Sequence, residues 1–361
     1  MATDPLHFVR ADFDQLEAYT PVKPLDVLAR EIGLPVDRLV KLDANENLYG
    51  PVPQIVEAIS KADFHIYPDP GQTALREAIA GYTGLRPEQV VGGSGADDLI
   101  DILIRLVRPE AIVTASPTFG MYSFLAKIDG ARVVEVPRDA EFRPDFDGIA
   151  SAVAAGARMV FLASPNNPTG NVLGNAEIEA LCGIEALIVV DEAYAEFSAT
   201  TAIPLLERFS NLVILRTFSK WAGLAGLRVG YSLSHAALAE KMMAIKQPYN
   251  VSVAADAAAR AAIANKGTIF ETVKCLVGER ERMVTALARM DWLKPYPSQS
   301  NFVLFQVERG CAKDVAAALR RRGVLVRYYD RPDLANCIRI SAGRPADTDR
   351  LVEALRAVEK E

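Results

Sequence analysis

One lysine is distinguished by the residues around it. In Thr217-Phe-Ser-Lys220-Trp-Ala-Gly-Leu-Ala-Gly-Leu-Arg228-Val-Gly230, hydroxyls and an arginine are interspersed with glycines directly after an apolar run. Small residues let backbone approach a ligand closely. Thr217, Ser219 and Arg228 together can donate hydrogen bonds and charge to a phosphate. Lys220 is then left for covalent work, because an amine whose charge is discouraged by neighbouring cations is the group that forms Schiff bases with aldehydes. Upstream, Ala186-Leu-Ile-Val-Val190 runs into Asp191-Glu-Ala-Tyr194. An aspartate there is either a turn former or a carboxylate paired with a protonated ring nitrogen. In the second case Tyr194, three residues on, can hydrogen-bond a ring hydroxyl.

Two further segments follow short apolar runs. Ala163-Ser-Pro-Asn-Asn167-Pro-Thr-Gly170 must make an extended turn, which either aims the Asn167 amide at the same ring or is a plain loop. Gly92-Gly-Ser-Gly-Ala-Asp-Asp98 opens an apolar helical pattern from Leu99 to Val107, and backbone N–H groups at a helix start bind phosphate. A dinucleotide fingerprint needs its third glycine at position 98, where Asp98 stands.

The elements that must position these residues follow from periodicity. From about residue 75, helical patterns alternate with short runs rich in β-branched residues, the signature of an α/β unit with a mostly parallel sheet. Seven strands are expected near residues 89–93, 111–115, 132–136, 159–163, 187–191, 212–217 and 228–232. Ligands of open α/β sheets bind beyond the carboxyl ends of the strands, so the chemical residues should meet there. After about Tyr249, helices over 254–265 and 268–290 precede strands at 302–306, 325–327 and 337–341, which reads as a smaller α+β domain. The expected division is an arm contributing to the small domain over 1–44, a large ligand-binding domain over 45–250 and the small domain over 251–361. The Arg320-Arg321-Arg322 cluster before Gly323 reads as a solvated helix end.

Half of the 361 residues are hydrophobic and 24% are charged, which is ordinary for a globular chain able to bury a core. A formal net charge of −6 argues against general binding to nucleic acid or anionic membranes, so any phosphate site must be local. No leader-like segment or spanning run is apparent, and the cytoplasm is the expected location. Four cysteines without close-pair spacing suggest buried free thiols rather than a disulfide framework. No metal site is expected, since the three histidines fall in no ligand pattern.

The ordered set Gly95-Ala96-Asp97, Asn167-Pro-Thr-Gly170, Asp191-x-x-Tyr194, the segment from Ser219 through Lys220 to Arg228, and a late Arg339 resembles the fold type I aminotransferases that depend on pyridoxal 5'-phosphate (PLP). The resemblance spans nearly the whole chain. Tyr19-Thr-Pro-Val-Lys-Pro24, Lys41-Leu-Asp-Ala-Asn-Glu-Asn47 and Tyr67-Pro-Asp-Pro70 look most like the histidinol-phosphate aminotransferase family. The resemblance implies that Lys220 carries PLP, with Asp191, Tyr194 and Asn167 on its ring and Phe119 stacked against it. Ala96, Asp97, Thr217, Ser219 and Arg228 would hold its phosphate, with Tyr67 reaching in from the second subunit of a homodimer. Arg339 and Arg327 would meet substrate anions, and Tyr19 and Asn47 would add substrate contacts. The reaction implied moves an amino group between histidinol phosphate or imidazole acetol phosphate and 2-oxoglutarate or glutamate, in histidine biosynthesis.

Leu48-Tyr49 stands where that family commonly has proline followed by leucine or tyrosine, and Val22 replaces a frequent glycine. Both departures bear on substrate specificity more than on reaction type. Three other readings share the cofactor residues: an aromatic amino-acid aminotransferase, a PLP-dependent amino-acid phosphate decarboxylase, and a non-catalytic PLP-domain binding protein. The intact trio of Lys220, Asp191 and Arg228 argues against the last.

Overall fold

The computed structural model describes residues 4–16 and 23–360. Strands are numbered in chain order. β1 is Val40–Lys41, and β2 (Val90–Gly93), β3 (Ala111–Ser116), β4 (Arg132–Pro137), β5 (Met159–Ala163), β6 (Leu187–Asp191), β7 (Leu212–Thr217) and β8 (Gly230–Ser234) form one seven-stranded sheet. Its order is β2-β8-β7-β6-β5-β3-β4, and only β8 runs against its neighbours. The central strands are apolar on both faces because both faces are covered. In β5, Val160 and Leu162 join one core while Met159 and Phe161 join another on the opposite side.

Register places the site. Ala163 lies beside Asp191, and Asp191 beside Leu215, so the ends of β5, β6 and β7 open at one edge. Gly93, Gly230 and Thr217 form a row across β2, β8 and β7. That row sets the start of the helix Ala96–Val107 next to the end of β7. A Cβ on Gly230 would stand 2.8 Å from the Arg216 carbonyl and 3.0 Å from the Ala96 nitrogen, so no larger residue fits the crossing. The final strand of this sheet starts at Gly230 rather than Arg228. Arg228 adopts left-handed backbone (φ +50°) and belongs to the preceding turn.

A second sheet has β9 (Leu293–Pro295), β10 (Phe302–Val307), β12 (Arg327–Tyr328) and β13 (Cys337–Ser341) in the antiparallel order β12-β13-β10-β9. β11 (Val324–Leu325) pairs instead with β1, in parallel. The single strand expected over 325–327 is thus two, divided at Val326, because the chain leaves β1 and joins β13. Pairing with β1 draws the segment before Asp43 onto this second unit, whose core contains Val40 and Leu42 with Val303, Phe305, Leu351 and Leu355.

The larger core extends past residue 250. Val251, Ala255, Ala258, Ala259 and Ala262 pack in it, as do Ile269, Val273 and Leu276, whereas Met283 and Leu287 of the same helix Lys266–Leu287 join the second core. We propose that the two units divide within that helix, which bridges them, rather than at residue 251. Of the four free cysteines, Cys182 and Cys337 are buried, and Cys275 and Cys311 lie exposed on helix surfaces or ends. Among the described residues no helix is long and apolar enough to cross a membrane.

Candidate active site

Between the two units lies a cleft of about 370 Å³, lined by the carboxyl ends of β5, β6 and β7, the start of the helix Ala96–Val107, and β12 and β13. Lys220 enters it from the loop after β7. Its Nζ donates to the Ala44 carbonyl (3.3 Å) and lies 5.8 Å from the centre of the Tyr194 ring. Burial, then the charges of Arg339, Arg228 and Lys41, push this amine down to about 8, with Glu46 opposing. About a tenth of the amine is therefore neutral at pH 7, far more than for an ordinary lysine, as a nucleophilic amine requires.

Asp191 ends β6. Its carboxylate accepts hydrogen bonds from Tyr122 Oη (2.6 Å) and the Ala193 N–H (3.0 Å). Burial raises it to about 6 against the pull of those two donors. A buried carboxylate with no cation at hydrogen-bonding distance among the described residues is suited to a cationic partner from a ligand. Phe119 lies over this part of the cleft, edge-on to Tyr122.

The anion end is built from backbone and one arginine. Gly95, at φ +81°, turns the chain into the helix so that Ala96 and Asp97 supply its first N–H groups. Arg228 Nη2 lies 3.0 Å from Asp97 Oδ2, and Thr217 Oγ1 donates to Ser219 Oγ (2.9 Å). A Cβ on Gly95 would stand 2.6 Å from Arg228 Nη2, so the glycine keeps room for the guanidinium.

Across the cleft, β13 presents Arg339, which is 5% exposed. Nη1 donates to Asn167 Oδ1 and Nη2 to the Asp43 carbonyl, each at 2.6 Å, while Nε has no partner among the described residues. The guanidinium sits 5.2 Å from the centre of the Phe302 ring. Arg327 is directly opposite Arg339 in the β12–β13 register, so the two cations share one side of the cleft.

The structure therefore brings together Ala96, Asp97, Phe119, Asn167, Asp191, Tyr194, Thr217, Ser219, Lys220, Arg228, Arg327 and Arg339. Asn47 is not among them. Its amide donates to the Trp221 carbonyl (3.0 Å) and accepts from the Tyr49 N–H (3.1 Å), so both ends are engaged in bracing the loop behind Lys220. Tyr67 lies outside the cleft of its own chain, 78% exposed and stacked on Tyr249. Tyr19 and Val22 fall outside the described residues.

Three residues were not picked out by sequence reasoning. Tyr122 lies three residues after Phe119, in the first turn of the helix Met121–Asp129, and its nearness to the ring-stacking candidate could have marked it. Asn45 donates from Nδ2 to Tyr194 Oη (3.0 Å), but its left-handed backbone has no sequence signature beyond asparagine itself. Arg331 lines the cleft while paired with Asp333 (2.8 Å) and Ser116 Oγ (2.9 Å), contacts that link the two units.

A two-unit α/β fold with a lysine beyond the sheet edge, a carboxylate opposite it and an arginine on the second unit defines the class. The sequence model of the family "Aminotransferase class I and II" matches residues 37–355, and the chain belongs to that family. It is 47% identical over 97% of its length to a histidinol-phosphate aminotransferase of Roseiflexus castenholzii, covering 98% of that protein. It is 43% identical to the chloroplastic histidinol-phosphate aminotransferase 1 of Arabidopsis thaliana, over 97% of this chain and 85% of that one. Among solved structures, the histidinol-phosphate aminotransferase of Sinorhizobium meliloti in complex with pyridoxal-5'-phosphate superposes with a TM-score of 0.88 at 30% identity, covering 97% of this chain and 98% of that one.

Proposed function

We propose that this chain is a PLP-dependent aminotransferase that moves an amino group between histidinol phosphate and 2-oxoglutarate, in histidine biosynthesis. The observation that carries the reading is the meeting of Lys220, Asp191 and Arg339 in one cleft, in a chain matched over nearly its full length by proteins bearing that name. The residues present fit the cofactor. Gly95 leaves open the space beside Arg228 that a Cβ would fill, and Asp191 is a buried carboxylate with no cation bonded to it among the described residues. When bound, PLP supplies a carbonyl with which amines condense and a ring that withdraws electrons from the substrate α-carbon.

The chain's own groups do the rest. Ala96, Asp97, Thr217, Ser219 and Arg228 hold the phosphate by N–H, hydroxyl and guanidinium donors. Asp191 keeps the ring nitrogen protonated, with Tyr194 and Asn167 on the ring hydroxyl and Phe119 over the ring face. Lys220, an amine with a pKa of about 8, would act as the general base that takes the α-proton of the substrate and delivers it to the carbon that the cofactor's carbonyl contributes. Arg339 and Arg327 are placed for the α-carboxylate of glutamate and the phosphate of histidinol phosphate, two anions bound in turn by the same cleft.

Phe64, Ile66, Tyr67 and Tyr249 form an exposed apolar group on the larger unit. Such a patch suits a subunit interface, and the reading includes a cytoplasmic homodimer in which Tyr67 reaches the partner's phosphate site. Sedimentation at several concentrations checks the dimer, and Tyr67→Ala should weaken cofactor binding in it.

Lys220→Ala should abolish both the visible absorbance of the holoenzyme and turnover. Full turnover by that variant would refute the assignment. Incubation with histidinol phosphate, phenylalanine or threonine phosphate, scored for keto product and carbon dioxide, separates the substrate classes; keto product from histidinol phosphate with ping-pong kinetics is expected.

A further inference from the structure

Asn45 is 1% exposed and adopts left-handed backbone (φ +55°) where the chain passes from the second unit into the first. Its polar atoms are engaged by residues distant in sequence. Ser341 Oγ accepts from the Asn45 N–H (3.0 Å) and donates to Asn45 Oδ1 (2.8 Å). The Asn45 carbonyl accepts from Asn301 Nδ2 (3.0 Å), and Asn45 Nδ2 donates to Tyr194 Oη (3.0 Å).

The direction of this chain of bonds is determined by counting protons. A serine hydroxyl has one proton. Ser341 Oγ accepts from the Asn45 N–H and gives its own proton to Asn45 Oδ1, an arrangement with the amide NH₂ toward Tyr194. The phenol oxygen then accepts from Asn45, so its own single proton must point elsewhere. Tyr194 lines the cleft on its free side, and among the described residues no acceptor is bonded to that proton. The groups facing the phenol are the Lys220 amine over the ring, the edge of Phe302, and the charges of Arg339 and Asp191.

We propose that Asn45, locked by Ser341, is a positioning residue that aims the Tyr194 hydroxyl proton into the cleft, toward the ring hydroxyl of the bound cofactor. This rests on the PLP reading above. Ser341 and Arg339 are two apart on β13 and so share a face of the strand, which makes one strand responsible for both the substrate anion and the orientation of Tyr194. The bond from Asn45 also polarises the phenol, so its donated hydrogen bond is stronger than that of an unassisted tyrosine.

The test is a pH titration of cofactor absorbance in the reconstituted holoenzyme. A hydrogen bond donated to the ring oxygen stabilises its ionised form, so loss of that bond raises the titration midpoint. Asn45→Gly keeps the left-handed backbone while removing the amide. It should raise the midpoint by roughly half a pH unit to one. Tyr194→Phe should raise it further, and Asn45→Gly should add nothing in the Tyr194→Phe background. Ser341→Ala, which frees the amide to turn, should give a smaller rise of the same sign and serves if Asn45→Gly does not fold. An unmoved midpoint in the folded variants, or a full Asn45 effect persisting without the Tyr194 hydroxyl, overturns the proposal. Absence of any titrating cofactor band in the unsubstituted protein would instead overturn the PLP reading on which it depends.

Discussion

Tyr122 donates a 2.6 Å hydrogen bond to Asp191 inside the core of the larger unit, where the tyrosine is wholly buried and the carboxylate is 5% exposed. A donor held at that distance favours the ionised form of the carboxylate, while burial disfavours it. Burial prevails, and Asp191 stands at about 6. On the function proposed above, ionised Asp191 pairs with a protonated ring nitrogen, and Tyr122 would then widen the pH range in which cofactor binds.

Tyr122→Phe should therefore raise the Asp191 pKa by roughly one pH unit, the value of a charge-assisted hydrogen bond. Cofactor affinity, followed by fluorescence quenching of the apoprotein between pH 5 and 8, should then fall away at higher pH than in the unsubstituted protein. An unchanged midpoint would show that Tyr122 is core packing alone.

The raised Asp191 pKa also makes a stability prediction for the apoprotein. The folded state binds a proton between the unfolded value of 3.8 and about 6, where the unfolded state does not. Stability thus falls as pH rises through that window, by about 3 kcal/mol at its upper end. Glu196, raised by burial to about 7, acts in the same direction. Asp191→Asn removes the first contribution and should stabilise the apoprotein at pH 8 while leaving it little changed at pH 4. Urea unfolding at both pH values, at fixed protein concentration, tests this. Equal effects at the two pH values would contradict it.

How far the site was legible depended on how local its signals are. The parallel strands are continuous apolar runs with a polar or acidic residue at the end, so the sequence alone puts Asp191 and the loop carrying Lys220 at the sheet edge. The helix start at Ala96 was legible for the same reason, since glycines and acids before an apolar run mark an N-terminus. Contacts made across the units were not. Asn45 meets Ser341 and Tyr194 over separations of 296 and 149 residues, and nothing in Asp43-Ala-Asn-Glu-Asn47 says which asparagine faces the cleft. Asn45 lines the cleft, whereas Asn47, two positions on, turns its amide to the Trp221 carbonyl. That the helix Lys266–Leu287 packs in both cores was likewise not legible, because the helix runs unbroken through the change of packing partner.

Gly95 offers a test of the anion end. With φ at +81° any L-residue is strained there, and the new Cβ would press on Arg228 Nη2. Gly95→Ala should cost about 1–2 kcal/mol in stability from the backbone alone. Because the guanidinium must swing away, cofactor affinity should fall by roughly tenfold, the loss of about one charge-assisted hydrogen bond. Gly226 is the control: it lies in the same segment as Arg228, and a Cβ there meets nothing within 4 Å. Gly226→Ala should leave cofactor affinity unchanged, and comparable losses in both variants would remove the special role of Gly95.

Arg339 bears on both substrate and lysine, and the two effects separate by the choice of substitution. Its charge is the largest electrostatic influence lowering the Lys220 amine, second only to burial. Its fork is fixed by Asn167 and the Asp43 carbonyl, and its Nε is buried with no hydrogen-bond partner among the described residues. Arg339→Gln removes both charge and fork. The amine pKa should then rise from about 8, and the recombination of apoprotein with PLP, which requires the neutral amine, should reach its half-maximal rate at a higher pH. KM for glutamate should rise by roughly a hundredfold, as expected for a lost bidentate carboxylate contact. Arg339→Lys keeps the charge but not the planar fork. It should reproduce most of the KM effect while leaving the pH midpoint of recombination near that of the unsubstituted protein. If both variants moved the midpoint equally, the lowered Lys220 pKa would owe nothing to the Arg339 charge, and burial alone would have to account for it.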